Sequence, residues 1–264
     1  MKTKHWFITM PAVVLALNVN AEQLNTARIE QITGLKGVLN QKENVFKVST
    51  PRTDIKVSVD GWLMQPFRGL GSWAAFTGTD AHAIVMGDFV LFRDEVNPVM
   101  SAALDNGLSV TALHNHFFYD DPKVYFMHIG SQGPAEKLAA GVRAMLDAEK
   151  RVRAAHPQPA TSFGGQPPAK NAITAAPIER ILGKQGQSNN GMLKLTFPRE
   201  TTAMGMTMGG DMGVATWAAF GGTDDNAIVD GDFAVHEDEL QGVLKALRAG
   251  GINIVAIHNH MTGE

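Results

Sequence analysis

"WAAFTGTDAHAIVMGDFVLFRDEVNPVMSAALDNGLSVTALHNH" runs from Trp73 to His116, and "WAAFGGTDDNAIVDGDFAVHEDELQGVLKALRAGGINIVAIHNH" runs from Trp217 to His260. The two stretches align without a gap over 44 residues, with about half the positions identical. Self-similarity of that length at a fixed spacing marks a duplicated structural unit. Upstream, "ARIEQITGLKG" answers "APIERILGKQG", and "STPR" answers "TFPR". The chain is therefore read as two copies of one domain.

Between the copies lies "RVRAAHPQPATSFGGQPPAKNA", residues 151–172, rich in Pro, Gly and Ala and without apolar periodicity. It reads as a linker between a first domain over 22–150 and a second over 173–264. After its "HNH" the first copy continues through "KVYFMHIGSQG" and an amphipathic helix, whereas the second stops four residues past His260. The expectation is a second copy that is incomplete at its C-terminal end.

Within one unit, residues 27–34 predict a short helix, followed by strands near 45–50, 55–59 and 73–77. "HAIVMGDFVLF" has the β-branched and aromatic content of a further strand. Asp94 reads as the N-cap of a helix that presents Val96, Val99, Met100, Ala103 and Leu104 on one face and stops at Asn106-Gly107. The second copy repeats this with Asp238, Leu240, Val243, Leu244, Leu247 and Gly250-Gly251. "LSVTALHNHFF" and "KVYFMHI" read as strands flanking a hairpin at "YDDP". A last helix opens at Gly133-Pro134 and carries Leu138, Val142, Met145 and Leu146. The fold class is α+β: a mostly antiparallel sheet layered by helices, present twice.

Composition narrows the function. Of the 264 residues 44% are hydrophobic and 19% charged, and the net charge of −3 supplies no basic face for nucleic acid. Lys2, Lys4 and His5, the apolar run "WFITMPAVVLAL" and the small residues of "VNA" (19–21) predict a signal peptide over residues 1–21. No later run reaches transmembrane length. A chain without cysteine has no disulfide, no thiol for a lipid anchor and no thiolate ligand. These features predict an exported protein, periplasmic or secreted and not lipid-anchored, with a small molecule or an envelope component as its partner.

The histidines carry the chemistry. On a strand, residues i and i+2 share a face, so His114 and His116 project together while Asn115 points away. A hairpin through "YDDP" brings His128 alongside, giving three imidazoles with an open fourth position. Such a set suits Zn²⁺ best, with Cu²⁺ or Fe²⁺ as alternatives; without a metal, it is a hydrogen-bonded polar group in a cleft. His258 and His260 form the corresponding half-site of the second copy. The letters H-N-H coincide with a nuclease motif, but here the three residues are adjacent rather than dispersed. Among carboxylates, Asp88 in "GDF" reads as a bulge or turn inside a strand run, and either it or Glu95 is a candidate base. Glu95 and its counterpart Glu239 also suit the first turn of a helix, where the dipole favours a carboxylate. The methionines of "AMGMTMGGDMG" (203–213) invite a copper–thioether reading. Matching Met204, Met206 and Met208 to Ile55, Val57 and Val59 makes a core face the simpler expectation. Trp73 and Trp217 are expected in the core rather than in a sugar-stacking platform.

"GSWAAFTG", "MGDFVLFRDEVNPVM", "DNGLSVTALHNHFFYDDPKVYFMHIG" and "GPAEKLAAGVRAMLD" together resemble the LppY/LpqO family, which carries a duplicated domain of unknown function. The likeness covers most of the chain beyond the signal segment. It implies an exported cell-envelope protein and no known activity, and so assigns no catalytic residue. Lipoprotein members use a Cys after the signal sequence, absent here, and members normally continue past the second "HNH". Two functions remain in view: a metal-dependent hydrolase, and a non-catalytic envelope module that binds a ligand or handles the metal.

Overall fold

In the computed structural model, residues 23–162 and 164–260 are described, so the predicted signal segment lies outside them. The first repeat runs α1 (Thr26–Thr33), β1 (Gly37–Asn40), β2 (Val45–Pro51), β3 (Ser58–Val59), β4 (Trp62–Leu63), β5 (Gly71–Gly78), β6 (Ala83–Phe92), α2 (Arg93–Asp105), β7 (Ser109–His114), β8 (Asp120–Asp121), β9 (Val124–Gly133) and α3 (Ala135–Ala155). Six of these strands form an antiparallel sheet in the order β1-β2-β5-β6-β9-β7. A small sheet, β4-β3-β8, lies apart from it. The α+β class and its duplication stand as read from the sequence.

Strand β6 shows how the layers arise. Ala83, Val85 and Phe89 are buried with the apolar faces of α1, α2 and α3 in the main core, while Ile84 and Met86 point to the open face. From Phe89 onward both faces are buried, because Val57, Met64 and Leu70 pack on Val90, Phe92, Val124 and Phe126 in a second cluster. The face away from the helices is thus open at one end and covered at the other. On it Asp88 sits between exposed Met86 and buried Val90, at the step between the two halves.

Several local expectations change. Gly87-Asp88 is regular strand, not a bulge: Trp73 pairs with Asp88, and Asp88 with His128. Glycine is needed at 87 for close approach, since a Cβ there would stand 2.8 Å from the Trp73 carbonyl oxygen. The irregularity falls instead in β7, between Val110 and Ala112. Helix α2 starts at Arg93 with Phe92 as its cap residue, because the Glu95 carboxylate accepts from Phe92 N at 2.8 Å; Asp94 belongs to the first turn. Helix α3 continues through Ala155, so residues 151–155 are helix rather than linker. The segment near 55–59 is strand only at Ser58–Val59.

The second repeat runs α4 (Ala175–Leu182), β10 (Gln187–Asn189), β11 (Met192–Pro198), β12 (Thr201–Ala203), β13 (Met206–Met208), β14 (Ala215–Thr223), β15 (Asn226–Asp232) and α5 (Glu237–Ala249). Its sheet, β10-β11-β14-β15, repeats the first four strand positions of the first copy. The methionine stretch is corrected here. Met204 and Gly205, at φ 54° and 74°, make the tight turn between β12 and β13, as Asp60 and Gly61, at 51° and 78°, do between β3 and β4. Met204 and Met206 therefore answer Asp60 and Trp62 and are exposed, not core. Trp73 and Trp217 are half-buried, each with a lysine over its ring, Lys47 at 4.2 Å and Lys194 at 4.3 Å. No helix among the described residues is long and apolar enough to cross a membrane.

Candidate metal centre

Strand pairing brings the site together. Antiparallel partners share a face, and His128 pairs with Asp88 on one side and with Ala112 on the other. His114, two residues beyond Ala112, comes onto the same face opposite Phe126. The small Ala112 leaves room for the two imidazoles to meet diagonally, and His114 Nε2 lies 2.9 Å from His128 Nε2. In this contact one ring donates and the other accepts.

His116 is placed differently from the expected i, i+2 strand pair. Strand β7 ends at His114, and the His116 ring lies flat on Phe126, 3.6 Å between centroids and 4° from parallel. It nevertheless stacks on His114 at 5.1 Å, so the three predicted imidazoles form one cluster. Burial, and then the neighbouring His114, hold the His116 imidazole below its ordinary pKa, with Asp88 opposing.

Asp88 completes the cluster. Burial pushes its carboxyl above the ordinary range, opposed by the fields of His128, His116 and His114. Its Oδ1 is buried without a hydrogen-bond partner. A desolvated carboxylate oxygen beside three imidazoles is a deficit of positive charge.

Among the described residues, no set of three or more His, Asp and Glu side chains is arranged as a formed metal cage. The His114–His128 contact explains this. Two nitrogens bound about 2.0 Å from one tetrahedral zinc stand roughly 3.3 Å apart, so the rings must part by a few tenths of an ångström. His116 must also turn from Phe126. The donor set fits a borderline divalent ion in type, while its present geometry is that of a hydrogen-bonded cluster.

Glu95 is not brought to the histidines. It is fully buried, and its oxygens accept from Arg52 Nη1 at 2.8 Å, Arg52 Nη2 at 3.0 Å and Phe92 N, with Arg153 Nε at 2.7 Å. That is a helix cap inside an ion-pair cluster, so of the two candidate bases only Asp88 lies beside the histidines. The cluster itself was missed from sequence, although Arg52 and Glu95 recur as Arg199 and Glu239, whose side chains pair at 2.6 Å. The second repeat keeps His258 and His260 as an exposed half-site, with His260 against Gly213.

Fold and site define a duplicated α+β domain with a polar histidine cluster on the open face of its first sheet. The chain belongs to the family described as Domain of Unknown Function (DUF1259), whose model matches residues 27–148 and 176–264. No curated protein and no solved structure matches it.

Proposed function

We propose that the chain binds a divalent transition metal, zinc foremost, through His114, His128 and His116, with Asp88 beside the ion. The observation that carries this reading is the buried, unpartnered Asp88 Oδ1 next to three clustered imidazoles. A cation there would relieve an uncompensated carboxylate and bond imidazoles that otherwise only stack and hydrogen-bond to one another. Such an ion would supply a Lewis acid, the chemistry of hydrolysis, with Asp88 as the group to accept a proton. Copper or iron(II) would use the same donors. The resemblance to LppY/LpqO proteins, the first 21 residues and the absence of cysteine support an exported, unanchored protein.

A binding role without turnover is favoured by a separate feature. Phe118 and Tyr119 follow His116, and Tyr119 O accepts from Asp60 N at 3.1 Å, beside the hairpin that carries Trp62. All three rings are largely exposed, an aromatic surface next to the polar cluster that fits ligand recognition.

Elemental analysis of the purified chain after incubation with zinc and with copper, then gel filtration, tests the metal reading. About one equivalent is expected in the wild type, and a large loss in His114→Ala/His128→Ala. Negligible metal in both overturns it. Metal retained without turnover across ester, phosphate and peptide substrates selects binding or handling over hydrolysis.

A further inference from the structure

The contact between the two repeats is made by equivalent residues of each. Trp73 answers Trp217, so equivalent positions differ by 217 − 73 = 144. Leu113 and Ile257 are equivalent by this offset, and they exchange both backbone hydrogen bonds. Leu113 N donates to Ile257 O at 3.3 Å and Ile257 N to Leu113 O at 3.0 Å. On α2, the Asn97 side chain accepts from Ile254 N at 2.8 Å and donates to Ile254 O at 3.3 Å. On α5, its equivalent Gln241 accepts from Val110 N at 3.0 Å and donates to Val110 O at 2.8 Å. Val110 and Ile254 are themselves equivalents. A primary amide carries the same donor and acceptor as a peptide group, so each helix bonds the other repeat's backbone, at β7 in the first and at the segment around Ile254 in the second, as a neighbouring strand would. Reciprocal contacts of this kind define a local twofold axis between Leu113 and Ile257, the geometry of an isologous dimer joined into one chain.

The strand gripped in this way is the one that bears the histidines. Strand β7 is last in its sheet, held by β9 on one side only. Its other edge meets Ile257 and Gln241 of the second repeat. Leu244 and Ile254, also from the second repeat, are buried in the first repeat's core, and Arg248 Nε donates to Ser101 Oγ at 3.1 Å. We propose that each repeat's helix amide holds the other repeat's histidine-bearing segment in place. Gln241 is then a positioning residue for His114 and His116, and Asn97 for His258 and His260. The surface formed by β7 and α2 has a second copy of the same repeat as its partner. Only the metal readout below rests on the proposed metal function.

The test compares full-length Gln241→Ala with Asn97→Ala, and adds Gln241→Met, which keeps the side chain's length while removing both bonds. Backbone amide exchange is expected to speed up roughly fivefold or more at Val110 in both Gln241 variants, with Ile254 unchanged. Asn97→Ala should give the opposite pattern. Zinc affinity should fall in the Gln241 variants, hold in Asn97→Ala, and be restored in part by Gln241→Asn, since Asn performs the equivalent contact at 97. Unchanged Val110 protection, or equal loosening of both segments by either substitution, overturns the reciprocal grip. Lost protection with unchanged zinc affinity overturns the positioning role. A wild type that binds no zinc sinks the metal reading, while the exchange result still decides this one.

Discussion

Glu149, on α3, should make the protein less stable as pH rises from mildly acidic to neutral. Its side chain is 14% exposed, its Oε1 lies 3.5 Å from Arg52 Nη1, and its Oε2 is buried without a partner. Arg52 is already committed to Glu95 at 2.8 Å and Asp54 at 3.0 Å. Burial works against the guanidinium's charge, but the hydrogen bond to Glu95, the field of Glu149 and the bond to Asp54 hold Arg52 above its ordinary range. Glu149, the farthest of the three from the guanidinium, gains less from the pair than it loses by desolvation. Its carboxyl is pushed from an ordinary 4.5 up to about 7. Between those values the folded chain holds a proton that the unfolded chain has released, so unfolding free energy falls with rising pH. The associated stability is complete below pH 4.5 and is lost as pH passes 7. The shift corresponds to about 3 kcal/mol at about 1.4 kcal/mol per pH unit. Glu149→Gln presents a neutral group at every pH and removes this dependence. Urea titrations followed by tryptophan fluorescence at intervals from pH 4.5 to 8 should show the variant gaining about 3 kcal/mol on the wild type across that range. A constant difference between the two curves would refute the reasoning, because it would mean Glu149 is ionised throughout.

The same cluster predicts unequal arginines. Arg52→Ala removes two of the hydrogen bonds to buried Glu95 and leaves only Arg153 and Phe92 N against it, and should cost about 3 kcal/mol in denaturant unfolding. Arg199→Ala breaks a pair whose side chains are 32% and 39% exposed, and should cost much less than Arg52→Ala in the same titration. Asp88→Asn removes an unpartnered carboxylate, so the melting temperature of the metal-free chain should hold or rise. Zinc affinity measured by competition with a chelating dye should meanwhile fall roughly tenfold or more. A Cβ at Gly87 would meet the Trp73 carbonyl at 2.8 Å and the Ile129 side chain at 3.0 Å, so Gly87→Ala should cost about 1–3 kcal/mol by the same titration.

What the sequence makes legible follows from how local each signal is. The duplication, α2 and the β7–β9 pair all rest on short-range pattern: repeated letters, apolar spacing, and two strands close in the chain. The clustering of His114 and His128 follows from that pairing alone, because partners in adjacent strands share a face. His116 escapes the pattern because Phe126, ten residues on, offers a flat apolar surface that a ring just past the strand end can cover. Glu95 is harder to read. A carboxylate in a helix's first turn is satisfied by the dipole in any context, and nothing local shows that Arg52 and Arg153 arrive from distant segments to bury it. The methionines of 203–213 were misplaced for a related reason. Met and Val look alike as apolar letters, whereas the feature that fixes register is the Met204-Gly205 turn, a backbone requirement that hydropathy does not carry.

The contact between repeats was invisible for the opposite reason: its signal is spread across both copies. Asn97 and Gln241 are chemically matched but not identical, and each reads as a solvated helix residue when its own copy is considered alone. Only the offset of 144, applied to both ends of each contact, shows that Asn97–Ile254 and Val110–Gln241 are one interaction made twice. Duplication therefore repeats a fold and also supplies β7, the last strand of the first sheet, with a contact along its open edge. An open edge is a liability for any sheet, and a chain that carries its own complement closes it without an oligomer. The histidine strand lies at that closed edge. Val110 and Leu113 bond to the second repeat while β9 pairs along the other edge, so the strand that carries His114 is held on both sides.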